Sequence, residues 1–274
     1  MRLKHALISF CILFAVIYFI YGEFVVRDGY HTPSHTQIDM TSILNKTVLD
    51  ETDYKTLYEQ TGIAKPIVEE LKELPDFEER MLRFQKDYLT AVRFDSENLS
   101  IVTLLDSITD ESGKAIAGFE LAPYHNGYIF LTKSTRTMNW RHGHAGVVID
   151  EKRGKLLEAL NPGTISMEQD ALKWRYFPTF KMMRLKDTDQ TVLDKIASYA
   201  SSSLRDLPYN ILADKKQGLT PSSTHCSLLV WQTFNAFGFD LDEPDTLFVS
   251  PQNIAASPLL ETLQIFGFNP DKDW

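Results

Sequence analysis

GYIFLTKSTRTMNWRHGHAGVVIDEKRGKLLEAL, residues 127–160, decides the fold of this chain. Three apolar runs of strand length sit inside it. GYIFLTK (127–133) reads as one strand, HAGVVID (144–150) as a second and KLLEAL (155–160) as a third. The short polar turn Glu151–Gly154 joins the last two, which suits antiparallel neighbours. Further on, KMMRL (181–185) is a fourth candidate strand. Two helical patterns follow it. Asp189–Leu204 carries Leu193, Ile196, Ala197 and Ala200 on one face, and Cys226–Phe237 is closed by Gly238. Upstream of the strands, Thr52 or Asp53 caps a helix that stops at Gly62. Pro66 starts another, PIVEELKEL, and Phe77–Val92 gives a third with Met81, Phe84, Tyr88 and Leu89 as its stripe. Clustered strands followed by helices indicate an α+β fold with an antiparallel sheet packed on helices.

Composition narrows the function. Of the 274 residues, 28 are Lys or Arg and 37 are Asp or Glu, a formal net charge of −9. No basic run is present, so nucleic acid is not an expected partner. No phosphate-binding glycine motif occurs. There are two cysteines, Cys11 and Cys226, and no paired CxxC spacing, which excludes a disulfide scaffold and the usual zinc patterns. No cofactor is called for.

The N-terminus reads as a membrane segment. ALISFCILFAVIYFIY (6–21) is apolar apart from Ser9, with Arg2 and Lys4 before it and Glu23, Arg27 and Asp28 after it. With Gly22 and Phe24–Val26 added, it reaches the length of a spanning helix, and the leading positive charge puts the N-terminus in the cytoplasm. A cleaved signal peptide competes with this reading, although Ile20 is poor at its −3 position. The expected localisation is therefore the cell membrane, single-pass, with the remaining chain extracytoplasmic. Residues 29–40 form a polar linker in which His31 and His35 are solvated.

The chemistry converges on one cysteine. Cys226 lies in PSSTHCSLLVWQTFNAFG, at the second helical position if Thr224 is the cap. Free backbone N–H groups and the positive helix end favour a thiolate there and could hold an oxyanion. A buried structural cysteine is the plainer alternative. A thiolate nucleophile needs an imidazole, and the candidates are His125, His142, His144 and His225. His225 adjoins Cys226 and would not face it if both were helical. His144 opens a strand, with Ala145 and Gly146 leaving room for an approaching chain. Glu158, on the next strand, is placed to orient the His144 ring. His142 and His144, two apart on one strand, would form a zinc site only together with Cys226 or His225. The acidic DLDEPD (240–245) lacks the glycine and closing glutamate of a calcium loop.

The ordered set GYIFLTKSTRT, WRHGHAGVVID, LLEALNPG, LPYN, HCSLLVWQTFNAFGFDLD and VSPQNIAASP resembles the circularly permuted papain-like cysteine hydrolases, the YiiX-like branch of the NlpC superfamily. In unpermuted members the cysteine helix precedes the histidine strand; here the histidine comes first. The resemblance covers about residues 115–265. It implies Cys226 as nucleophile, His144 as base, Glu158 as the group orienting the histidine, and Tyr209 of LPYN as a pocket residue. It also implies a division into a membrane anchor (1–28), a linker and helical extension (29–114) similar to that of membrane-anchored bacterial members, and a permuted papain-like catalytic domain (115–274). His225 departs from the pattern, which has an aromatic or apolar residue there.

The expected function is that of a membrane-anchored extracytoplasmic cysteine hydrolase, an amidase or peptidase acting on cell-wall (peptidoglycan) peptide. Two alternatives stand beside it. One is a lipid acyltransferase or esterase using the same cysteine thioester on a lipid-linked acyl substrate. The other is a non-catalytic binding module.

Overall fold

The computed structural model describes residues 10–14, 16–17, 29–100, 102–137, 140–218, 220–242 and 246–274. It is an α+β protein with two antiparallel sheets. A six-stranded sheet runs in the order β7-β6-β5-β3-β8-β9, built from β3 (Ile129–Thr132), β5 (His144–Asp150), β6 (Lys155–Glu158), β7 (Met167–Asp170), β8 (Phe180–Leu185) and β9 (Leu260–Phe266). A three-stranded sheet, β1-β2-β4, joins β1 (Phe94–Asn98), β2 (Thr103–Ile108) and β4 (Thr135–Thr137). All four expected strands are present. The β1–β2 hairpin, β4, β7 and β9 are additional.

The central strands are buried on both faces. In β5, every residue from His144 to Ile149 is buried. That is why its sequence reads as a continuous apolar run with little alternation. One face meets two helices. Gln190–Ser203 packs with Leu193, Ile196, Ala197 and Ala200 inward, and Cys226–Asn235 is buried along nearly its whole length. The rings of Phe119, Phe130, Trp174, Phe180 and Phe266 pack together, with the Phe119 and Phe266 centroids 4.4 Å apart and stacked. Close-packed aromatics of this kind fix the sheet firmly beneath whatever site it carries.

The N-terminal helices form as expected, with small shifts at their ends. Glu51–Thr61 is capped by Asp50, two or three residues before the expected cap, through a reciprocal box with Asp53. Gly62 ends it in the left-handed region at φ 67°. Lys65–Lys72 and Phe77–Leu89 follow. This helical segment is stitched to β9: the Ile265 N–H donates to the Gly62 carbonyl at 2.9 Å, and the Ala64 N–H to Leu263 at 2.9 Å.

The expected single-pass membrane localisation is overturned: among the described residues, no helix is long and apolar enough to cross a membrane. Residues 1–9, 15 and 18–28 of the expected anchor lie outside the described residues.

Candidate active site

His144 is the first residue of β5 and follows a tight bend at Gly143. That glycine has φ 75°, and a Cβ there would stand 2.5 Å from the Thr132 carbonyl oxygen. Only glycine accepts both constraints. From this bend β5 runs antiparallel to β6, with Val148 opposite Leu156 and Val147 opposite Leu157. Continuing the register by one pair sets Glu158 across from Gly146, two residues along the strand from His144. A Cβ on Gly146 would lie 2.8 Å from Glu158 Cγ. The missing side chain is the space through which Glu158 leans diagonally to His144. The expected open space at Gly146 is thus present, and a carboxylate fills it.

Glu158 Oε2 and His144 Nε2 are 2.6 Å apart. The same carboxylate oxygen accepts from Lys173 Nζ at 2.8 Å, and Oε1 accepts from Trp174 Nε1 at 3.0 Å. Trp174 also lies under the His144 ring, 5.5 Å between centroids and tilted by 20°. Lys173 and Trp174 come from a short 3-10 helix, Ala171–Tyr176, capped by Asp170. Sequence reasoning missed both. KWRY stands in a connection between strands and has no spacing that marks it; only the rarity of a tryptophan there offers a signal.

The carboxylate takes Nε2 of His144, and Nδ1 is the ring nitrogen left over. Cys226 lines the same cavity as His144, with its sulfur 4.0 Å from Ser227 Oγ. Burial works against a thiolate at Cys226, but His144 and His225 outweigh it and hold the thiol well below its ordinary value. Burial likewise works against an imidazolium at His144. Hydrogen bonds to Cys226 and Glu158 outweigh that too and lift it to about 9. Glu158 is buried as well, and Lys173 and His144 keep it ionised below the usual carboxylate range. The three groups thus push one another toward their charged forms: the thiol down, the imidazole up and the carboxyl down.

Helix Cys226–Asn235 starts one residue later than expected. His225, not Thr224, is the cap, with extended backbone at φ −138° and ψ 174°. Cys226 is consequently the first helical residue, where backbone N–H groups lack intrahelical acceptors. The extended backbone is also why His225 can face its sequence neighbour, contrary to the helical expectation. Tyr209 is brought in by pairing of the 208–210 segment alongside Thr224. The Asn210 N–H donates to the Thr224 carbonyl at 2.7 Å, and the Thr224 N–H to Pro208 at 3.1 Å. Burial and the neighbouring Cys226 raise the Tyr209 phenol, so it stays protonated as a donor.

These groups line one cavity of about 380 Å³. Cys226, His144, Tyr209 and Lys173 supply its polar part; Leu105, Leu160, Tyr176 and Phe177 supply apolar walls. Glu97, Leu99 and Ser107 of the second sheet close one side. The helical segment contributes no lining residue.

The remaining histidines fall elsewhere or are already engaged. His142 sits ahead of β5 and does not share a strand face with His144. Its Nδ1 lies 2.8 Å from the Gly143 carbonyl oxygen and its Nε2 lies 3.0 Å from Thr137 Oγ1. His125 bridges Glu70 and Glu151 away from the cavity. Among the described residues, no group of three or more His, Cys, Asp or Glu side chains is placed to hold a metal ion.

No family model matches the chain, and no curated protein matches it. Among solved structures, the crystal structure of metalloprotein YiiX from Escherichia coli O157:H7 is similar over 52% of this chain and 97% of its own, at 16% identity and a TM-score of 0.40. This likeness is distant.

Proposed function

We propose that the chain is a cysteine-dependent acyl hydrolase or acyltransferase with Cys226 as nucleophile, His144 as acid and base, and Glu158 orienting the imidazole, on a permuted papain-like frame. The observation that carries this reading is the 2.6 Å pairing of His144 with the buried Glu158 carboxylate at a cavity that Cys226 also lines.

In the proposed reaction the Cys226 thiolate attacks a carbonyl carbon, and the C=O electron pair moves onto oxygen. Backbone N–H groups at the start of the cysteine helix and the Tyr209 hydroxyl are the nearby donors for that oxygen. Collapse breaks the bond to the leaving amine or alcohol, which takes its proton from His144. Water then attacks the thioester with His144 as base, and the recovered proton stays on the imidazole beside a restored thiolate. In acyl transfer, a second nucleophile replaces the water.

The cell-wall peptide substrate rested on an anchored position and on the family resemblance, and among the described residues no helix is long and apolar enough for that anchor. The apolar walls at Leu105, Leu160 and Phe177 favour the second reading, an ester or amide whose acyl part is apolar. The test is trapping of the acyl-enzyme. Purified protein is mixed with a chromogenic acyl ester or with muropeptides, quenched in acid and analysed by mass spectrometry. An acyl mass added on Cys226 and absent from Cys226→Ala supports the proposal. Unmodified Cys226 with every substrate leaves a binding module.

A further inference from the structure

Two nitrogens share one oxygen of the buried Glu158 carboxylate. His144 Nε2 lies 2.6 Å from Oε2, and Lys173 Nζ lies 2.8 Å from the same atom. Oε1 accepts from Trp174 Nε1 at 3.0 Å. The ring and the indole already give each carboxylate oxygen a donor, so hydrogen bonding alone does not call for a lysine. What the lysine adds is a full positive charge beside the imidazole. Gln169 Oε1, 3.1 Å from Nζ, holds the ammonium over Glu158 from the other side.

We propose that Lys173 is a positioning residue that restrains Glu158, so that the charged His144 ring can release its proton to the leaving group. The inference rests on the Cys226–His144–Glu158 reading above. A buried carboxylate at 2.6 Å stabilises an imidazolium strongly. A second cation on the same oxygen weakens that hold and also repels the imidazolium directly. An acid that holds its proton less tightly gives it up faster in the transition state. The proton goes to the leaving oxygen or nitrogen as its bond to the acyl carbon breaks, so only leaving groups that need a proton feel Lys173. The other titratable groups around the ring are Cys226 and His225 on the cysteine helix side and His142 ahead of β5. Glu97 and Tyr209 share the cavity with it. Of all these, Lys173 alone contacts the carboxylate that the ring contacts.

The experiment compares the full wild-type chain with Lys173→Met, Lys173→Gln and Lys173→Arg. Met removes the charge, Gln removes it but keeps a donor, and Arg keeps it. Two readouts are taken. One is titration of the His144 ring by NMR. The other is the rate of acyl-enzyme formation on Cys226 from two esters of the same acyl group: a p-nitrophenyl ester, whose leaving group departs without a proton, and an ethyl ester, whose leaving group needs one. The Lys173 side chain is 28% exposed, so solvent limits its field. Met and Gln are expected to raise the ring midpoint by about one pH unit and to slow the ethyl ester roughly three- to tenfold, with the p-nitrophenyl ester within about twofold of wild type. Arg is expected to match wild type in both readouts. If Met melts early, Gln decides. A ring midpoint that stays or falls in Gln, while wild-type Cys226 is acylated, overturns this inference alone. Equal slowing with both esters, or an Arg variant as slow as Met, makes the role one of fit and overturns it too. No acyl adduct on wild-type Cys226 from either ester removes the parent reading, and this inference with it.

Discussion

Among the carboxylates buried beside cations, Glu158 in the large sheet and Asp106 in the small one do different things. Asp106, on β2, accepts from Arg141 Nη1 at 2.8 Å and from Ser96 Oγ at 2.6 Å. Arg136 Nη2 donates to the same serine at 2.9 Å. These groups lie on the face of the hairpin opposite to Glu97, Leu99, Leu105 and Ser107, which look into the cavity. Its cationic partners are guanidinium groups, and neither Arg136 nor Arg141 lines the cavity. Glu158 has an imidazole partner, and that partner lines a cavity together with a cysteine. Burial and ion pairing are common to both regions. A proton that can move, next to a nucleophile, distinguishes only one of them.

Variants can break this contrast or sharpen it. The largest effect is expected at His144. His144→Ala should slow formation of the acyl-enzyme about 10²–10⁴-fold, the usual scale for losing a positioned acid–base group. Stopped-flow or quench measurement of the acyl adduct checks it, and an unchanged rate would place the proton transfer elsewhere. Next is Asp106→Ala, which strands the buried Arg141 charge. It should cost about 3–5 kcal/mol of stability in denaturant titration and leave the Cys226 alkylation midpoint where it was. Movement of both quantities would mean that the two clusters act as one. Gly146→Ala should move the thiol midpoint that Asp106→Ala leaves in place. Its new methyl group pushes on Glu158 Cγ, so the thiol midpoint should rise, with a stability loss of about 1–3 kcal/mol from overpacking.

The smallest effect belongs to His125, which ties the helical segment to the β5–β6 turn. A hydrogen bond to Glu70 raises its pKa above the ordinary 6.5, although burial opposes this. A raised folded value means that the fold favours the charged ring. The contribution is therefore complete below pH 6.5 and is lost as pH rises through the higher folded value. The groups are about one-third exposed, so solvent screening keeps it at about 0–1 kcal/mol. Comparing melting of wild type and His125→Gln at pH 5.5 and pH 9 checks the sign. A gap that widens at the higher pH contradicts it.

Much of the large sheet was legible in the residues because its strands are apolar, punctuated and joined by a short polar turn. His144, Glu158 and Cys226 could be singled out for the same reason: each sits at a defined place in a periodic element, whereas Tyr209, outside any helix or strand, was reached only through the family resemblance. The hairpin FDSEN–TLLDSI was not legible. Its strands mix charges with leucines because one face carries the Asp106 cluster and the other lines the cavity, so neither period stands out. Strand β9, LETLQIF, was hidden by a Glu and a Gln that face polar partners: Glu261 pairs with Arg184, and Gln264 bonds with Ala122 and Glu120. Lys173 and Trp174 reach the site from a 3-10 turn, and no pattern in a connecting segment says what it packs against. The cap at His225 was missed because histidine is an uncommon cap and Thr224 a common one.

The central claim is that Cys226 rests as a thiolate against a charged His144. Its most direct measurement is the pH dependence of Cys226 alkylation by iodoacetamide in the wild-type chain, read together with titration of the His144 ring by NMR. The account predicts a sulfur that stays reactive well below the ordinary thiol range and a ring that keeps its proton until about pH 9. A thiol that becomes reactive only near pH 9, beside a ring that loses its proton near 6.5, would contradict it.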